Sequence, residues 1–274
     1  MLPRVKIFGF LILILLSAGI IWLACNIDHG IAPLPGKIDV TVIFRNTPPP
    51  STQGIYLIVA PIFPPHAINE MYHSPNSLPI DQDTVHTEMV LPYGHYQSVS
   101  LWWYSNDTKS NLADVLALPL DVDNNLLPLS FDITPEAPVF HVDLYANWDR
   151  MNRDAAIEGT IYFNGSSPEN TLATAVVAYM YQPVESVHYL IWLKSIDFSV
   201  EGNPYHYRLP VRHGSVNYIA VFWLPENAGL TDFKTVGVYE NPSHPGEPGK
   251  LSIKANQIVT GIDIHADWSK ITQP

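Results

Sequence analysis

Disulfide chemistry is almost excluded at the outset, because the 274 residues contain a single cysteine, Cys25. Whatever folds beyond it must rest on a hydrophobic core, which two domains of ordinary size can supply. Positive charge is also scarce, with 14 Lys and Arg against 26 Asp and Glu. Arg4 and Lys6 precede Cys25, so the remainder carries 12 basic and 26 acidic side chains, a formal charge of −14. Such a surface disfavours nucleic acid and anionic lipid head groups as partners. Long helices are missing too, since 25 prolines are scattered along the chain and leave no wide window for a helix interior. Catalytic signatures are absent: there is no G-x-S-x-G, C-x-x-C or H-E-x-x-H, no P-loop and no dinucleotide glycine pattern. The chain reads as non-enzymatic, with no cofactor and no resident metal.

What is present begins with one apolar run, Ile7 to Ala24, preceded by Arg4 and Lys6. At about 1.5 Å per residue it makes a helix of roughly 27 Å, close to the thickness of a hydrocarbon core. Basic residues lie before it and none follows until Lys37, which places the N-terminus inside and everything after Cys25 outside. The segment Trp22-Leu23-Ala24-Cys25 resembles a bacterial lipoprotein signal, in which a small residue precedes a lipidated cysteine. An uncleaved transmembrane anchor and a cleaved secretory signal are the other two readings, although the run is long for a cleaved signal. The first two predict an extracytoplasmic protein tethered to a membrane, either by Cys25 or by the helix itself.

Beyond the anchor (1–25) and a short linker (26–36), the sequence repeats itself. Val142-Asp143-Leu144-Tyr145-Ala146-Asn147-Trp148 returns as Ile262-Asp263-Ile264-His265-Ala266-Asp267-Trp268, an offset of 120. Ile38 to Phe44 returns as Ile157 to Phe163 at 119, and Val99 to Trp103 as Ile219 to Trp223 at 120. In the middle, Leu91-Pro92 is matched to Leu209-Pro210 and His95 to His213. Matched segments in one order at a nearly constant offset define two repeats, 37–150 and 155–270, joined by the polar stretch Asp149 to Asp154. Each is expected to fold independently.

Both repeats read as β. Runs of five to eight residues rich in Val, Ile, Tyr, Phe and Thr alternate with Pro, Gly, Asn and Asp clusters, the strand-and-turn pattern of a sandwich. Ala60 to Asp83, with five prolines after Ala60, reads as a long loop of the kind that often carries function. Its counterpart, Val187 to Phe198, contains the strand-like His188-Tyr189-Leu190-Ile191-Trp192-Leu193. Glu226 to Phe233 has room for one helical turn.

In the second repeat the order is Ile157-Glu158-Gly159-Thr160-Ile161, then Tyr207-Arg208-Leu209-Pro210, then Leu251-Ser252-Ile253 and Gly261-Ile262-Asp263-Ile264. The first repeat carries Leu91-Pro92-Tyr93-Gly94-His95-Tyr96 at its centre. This resembles the transthyretin-like, carboxypeptidase regulatory-like domains, with their opening I-x-G-x-V strand, central L-P-x-G-x-Y and closing I-D strand. Val40 stands where the opening glycine belongs in the first repeat, and Arg212 and Asn256 replace glycines in the second. The resemblance implies an all-β protein of two tandem Greek-key β-sandwich domains, transthyretin-like or Ig-like, after an N-terminal hydrophobic helix. It also implies an accessory role and carries over no catalytic residue.

Few residues suggest chemistry. His66, His73 and His86 surround the long loop, but their spacing matches no familiar metal site. Asp121, Asp123, Asn125 and Asp132 have the alternation of a calcium loop, yet Leu126 replaces its glycine and Pro128 stiffens it, so an ordinary turn is expected. The aromatic strands are more informative. Alternation puts Val99, Leu101 and Trp103 on one face and Ser100, Trp102 and Tyr104 on the other, with Ile219, Val221 and Trp223 set against Ala220, Phe222 and Leu224 in the second repeat. The first set of each is apolar and faces the core. The second is too bulky for a solvated face, so something must cover it: either a loop or the neighbouring repeat, or a protein or glycan partner, for which Trp102, Tyr104, Phe222 and Leu224 are the expected contact residues. The function expected is a membrane-tethered binding or spacer protein. The alternatives are a subunit of an envelope complex paired through sheet edges, and a hydrolase using the first repeat's long loop.

Overall fold

The computed structural model describes residues 36–65, 68–106, 112–122, 127–184, 188–226 and 233–271. The N-terminal apolar run, Cys25, His66, Asp123, Asn125 and most of 226–233 lie outside them. Among the described residues no helix is long and apolar enough to cross a membrane. The first half contributes β1 (Gly36–Arg45), β2 (Thr52–Ala60), β3 (Tyr72–His73), β4 (Thr84–Leu91), β5 (Gly94–Tyr96), β6 (Ser98–Ser105), β7 (Val115–Ala117), β8 (Leu120–Asp121), β9 (Leu127–Pro128), β10 (Phe131–Ile133) and β11 (Val139–Asn147). The second contributes β12 (Ala155–Asn164), β13 (Thr171–Tyr179), the single helical turn α1 (His188–Ile191), β14 (Leu193–Asp197), β15 (Tyr205–Val211), β16 (Gly214–Val216), β17 (Tyr218–Pro225) and β18 (Lys234–Val238). The hairpin β19 (Glu240–Asn241) with β20 (His244–Pro248), then β21 (Leu251–Ile253), β22 (Ile258–Val259) and β23 (Ile264–Asp267) complete it. The protein is all-β.

Strict alternation in β1 buries Ile38, Val40, Val42 and Phe44 while the residues between them face outward. β1 lies between β4, antiparallel, and β11, parallel, and packs against a second sheet ordered β3-β2-β6-β7. Ile55, Leu57, Val99, Leu101 and Trp103 from that sheet close the first core. The second half repeats the arrangement, with β12 between β15 and β22/β23, and β14-β13-β17-β18 opposite. The likeness extends to side chains. Phe44 stacks on Trp148 at 5.3 Å and Phe163 on Trp268 at 5.1 Å. Trp103 Nε1 donates to Thr52 Oγ1 at 2.9 Å and Trp223 Nε1 to Thr171 Oγ1 at 2.8 Å.

Several expectations change. Pairing of Leu91 with Gly36 and of Val211 with Ala155 sets the register of the central motif two residues from the one the sequence suggested. Leu91-Pro92-Tyr93-Gly94 therefore corresponds to Val211-Arg212-His213-Gly214, so Gly214, at φ +104°, is the central glycine and His95 is not the counterpart of His213. Tyr189 and its neighbours form α1 rather than a strand, because His188 and Trp192, four apart, stack at 3.6 Å on one helical face. The 61–83 loop is stitched to the β2 edge: Ser74 and Ser77 hydroxyls accept from the Leu57 and Ile55 amides, and β3 pairs with Ile58 and Val59. Where β1 and β11 pair continuously, β22 and β23 are interrupted. A Cβ on Gly159 would lie 1.9 Å from the Ile262 carbonyl oxygen, and the Asp263 carboxylate takes the Thr160 amide at 2.8 Å in the gap.

The segment joining the repeats is packed and is not a solvated tether. Met151 is buried in the first core. Arg153 donates to the carbonyls of Ala113 at 3.1 Å and Arg150 at 2.9 Å and pairs with buried Asp114, while Arg150 reaches the Ile191 carbonyl at 3.4 Å. Nearby Lys194 donates to the carbonyls of His213 and Ser215. Burial, with Arg212 and Arg153 close by and only Asp154 opposing them, lowers its pKa to about 8.

Replacing Arg153 with alanine withdraws a guanidinium from Asp114 and from three carbonyls, and is expected to cost about 3–5 kcal/mol in urea unfolding. Lys194 has the opposite sign at neutral pH. Between pH 8 and its ordinary 10.5 the unfolded chain keeps a proton that the folded chain has lost. Its contribution to stability therefore rises with pH across that window. Comparing wild type with Lys194→Met by urea titration from pH 7.5 to 9.5 should show the upward slope in the wild type only.

Candidate functional site

β6 supplies the wall of the site. Its inward residues Val99, Leu101 and Trp103 are buried in the first core, as alternation requires. Its outward residues Ser98, Ser100, Trp102 and Tyr104 pair across β2 with Ala60, Ile58, Tyr56 and Gly54, and Trp102 also pairs with Val115 of β7. Over this face lies a cavity of about 480 Å³. Phe63 and Met71 of the long loop, Leu112 and Leu118 around β7, and Tyr189 and Phe198 of the second repeat roof it. Among the described residues no Asp, Glu, Lys or Arg borders it. A volume in the range of small-molecule sites, lined by apolar and aromatic groups with a few polar atoms, is the usual composition of a binding pocket.

The four expected contact residues separate here. Tyr104 is 49% exposed and Trp102 half-buried, both on the cavity wall. Phe222 and Leu224 are 1% and 3% exposed, so the expectation that they meet an external partner is corrected. The chain covers them itself: Tyr189 and Phe233 lie 5.8 and 5.6 Å from the Phe222 ring, in a cluster with Tyr179 and Tyr218 that Ala113 of the first repeat joins. The signal missed was the aromatic content of α1 and Phe233, which supply the cover. Trp102 Nε1 is shielded from solvent and has no acceptor among the described residues. An indole N–H can only donate, and leaving one buried and unmade costs about 1–3 kcal/mol.

The remaining candidates are accounted for locally. His73 borders the cavity beside Ser98 and Ser100, but its Nδ1 donates to the Ser74 carbonyl at 3.0 Å. No hydrogen bond joins it to either serine among the described residues, and no carboxylate stands by to orient it, so general-base activation of a hydroxyl has no support. His86 bonds Thr41, as His206 bonds Thr160 in the second repeat. His95 pairs with Asp132, and His213 with Asp154, whose carboxyl burial would raise but which the His213 amide and ring hold below the usual range. Among the described residues no three His, Cys, Asp or Glu side chains gather in a way that would hold a metal.

No family model matches this chain, and no curated protein does. Among solved structures, a leucine-rich repeat protein from Bacteroides thetaiotaomicron aligns at 10% identity and TM-score 0.31, covering 86% of this chain and 27% of that one. A streptococcal ancillary pilin aligns at 13% identity and TM-score 0.23, covering 86% and 63%. The minor pilin of Streptococcus agalactiae gives 10% and 0.24, covering 86% and 97%. The chain thus spans less than two thirds of the first structures it matches. At TM-scores this low the likeness assigns no activity or partner.

The opposed faces separate in stability. Trp103→Ala, Trp223→Ala and Phe222→Ala should each lower unfolding free energy by about 3–5 kcal/mol, as buried aromatic truncations do. Tyr104→Ala should stay within about 0.5 kcal/mol, as exposed substitutions do. Urea denaturation of the four variants checks this.

Proposed function

We propose that this chain is a non-enzymatic extracytoplasmic binding protein, tethered to a membrane through its N-terminus. In this reading two tandem transthyretin-like sandwich domains hold a binding site in the apolar cavity between them. The observation that carries the reading is the cavity itself: an aromatic wall, roofed from both repeats, with no charged side chain and no activated nucleophile among the described residues that line it. Such a lining retains a ligand by burial and offers nothing to a reaction. The Ile7–Ala24 run and its flanking charges support export and tethering, with Cys25 as the lipidated residue or the run as the anchor. Gly159 pressed against Ile262, beside Asp263, supports the transthyretin-like assignment, since these are the positions of that family's opening glycine and closing I-D.

Two experiments test it. Protease added to intact cells, after permeabilising any outer envelope, should degrade the protein while cytoplasmic controls survive, and fatty-acid labelling should vanish in Cys25→Ser if that residue is lipidated. Protection from protease sinks the topology. A photoreactive phenylalanine at position 104, on the cavity wall, should form adducts in cells, and one at position 145, 63% exposed on the opposite sheet, should not. Equal yields at both positions would count against the cavity as the site.

A further inference from the structure

The two repeats present the same sheet face in two conditions, one filled and one hollow. Pairing aligns Tyr179 and Tyr218 of the second repeat with Ala60 and Ser98 of the first, since each pair faces its partner across equivalent strands at offsets of 119 and 120. Phe222 corresponds in the same way to Trp102, and Ala220 to Ser100. In the second repeat the tyrosines are buried, and rings from α1 and Phe233 pack against Phe222 to close the face. In the first repeat an alanine and a serine replace the two phenols, and the cavity lies over them.

We propose that the cavity binds an uncharged aromatic compound bearing hydroxyl groups, whose rings take the place that Tyr179 and Tyr218 fill in the second repeat. The proposal rests on the binding reading above and names its ligand class. Three features of the site specify that class. Ala60 and Ser98 of the lining stand where the second repeat has two tyrosines, so ring-sized fragments match that part of the space, while Tyr56 stands where the second repeat has Ala175. The Trp102 and Tyr56 rings on the wall offer aromatic contact, which rings prefer in offset or edge-on arrangements. The charge requirement follows from the described lining: its residues include no basic side chain to pair with an anionic ligand, which would lose its hydration there, and no carboxylate for a cation. The hydroxyls of Ser98 and Ser100 on the floor, and the ring of His73 beside them, are the polar atoms available to a phenol.

The test uses 4,4′-dihydroxybiphenyl, two uncharged phenol rings in one molecule, and its charged analogue biphenyl-4,4′-dicarboxylate. Calorimetric titration of the exported chain, residues 26–274, should show saturable binding of the biphenol at one site and a raised melting temperature. Binding of the dicarboxylate should be weaker by about tenfold or more. Ala60→Tyr/Ser98→Tyr, which restores to the first repeat the residues of the second, should keep its cooperative melt and lose biphenol binding. Should the double variant fail to fold, Ser98→Tyr alone decides, with binding weakened at least tenfold as the expected result. The inference is overturned by absence of saturable biphenol binding, by equal affinity for the dicarboxylate, or by binding that survives the filling substitutions. If the biphenol fails while position 104 still yields adducts in cells, the ligand class is wrong and the binding reading stands.

Discussion

Arg153 sits where the two repeats meet, and a guanidinium so deeply placed is tolerated only if its N–H groups find acceptors. It finds them on both sides of its own segment: the carbonyls of Arg150 and Asn152 behind it, and that of Ala113, with the Asp114 carboxylate, in the first repeat. Its charged plane also lies 5.8 Å from the Trp103 ring, an indole anchored in the first core. Arg150 extends the same network to Ile191, at the end of α1. Because α1 carries Tyr189, which both packs on Phe222 and borders the cavity, this hydrogen bond ties the charge cluster to an element of the site. Burial lowers the pKa of both arginines, and the acid nearest Arg153, Asp114, opposes that shift.

The cluster is rich in positive charge inside a protein that is strongly acidic beyond Cys25. Arg150, Arg153, Arg212 and Lys194 influence one another, and the opposing acids are Asp114 and Asp154. Such an arrangement is poor as a source of stability, since each cation loses hydration and gains only fixed dipoles. Carbonyls do most of the compensation. Those of Ala113, Ile191, His213 and Ser215 all point at cationic nitrogens, which fixes loops from both repeats at defined distances. Positional definition of that kind suits a site assembled from two repeats, where a shift of either one would change the width of the cavity.

The strands and their inward faces were legible from alternation and from the repeat, because a buried sheet face writes a period of two into the sequence. Ile38, Val40 and Val42, or Val99, Leu101 and Trp103, need nothing beyond that period to be placed. The central motif was misread by two residues because Leu-Pro occurs by chance at both 91–92 and 209–210, whereas hydrogen-bond register aligns Gly94 with Gly214. α1 was misread because six consecutive apolar or aromatic residues carry no period, and only the His188–Trp192 stack decides between a turn and a strand. The linking segment looked solvated because its residues are polar. Polarity does not reveal burial when the acceptors come from segments far away in sequence, as Ala113 and Ile191 do. The candidate site was half legible: Trp102 and Tyr104 lie on the cavity wall, whereas the cover over Phe222 and Leu224 comes from residues whose reach the sequence does not show.

Matched positions in the two halves carry different side chains, and one face is core where the other borders a cavity. A sandwich domain of this kind presents two sheet faces outside its core, and a bulky apolar one must be covered. In the second repeat the cover is complete, since Tyr179, Tyr218 and Phe222 meet α1 and Phe233, and Ala113 of the first repeat fills in beside them. In the first repeat the segment equivalent to α1 is the proline-rich loop tied down along β2, which leaves less material over the face. Where the second face has Tyr179 and Tyr218, the first has Ala60 and Ser98, both on the cavity lining. An undercovered apolar face ordinarily invites non-specific association, yet here Tyr189 and Leu190 of the neighbouring repeat border it and narrow it to a cavity. Packing the second repeat against the first thus performs two tasks with the same residues: Tyr189 completes one core and bounds one site. Loss of that packing would expose both faces at once.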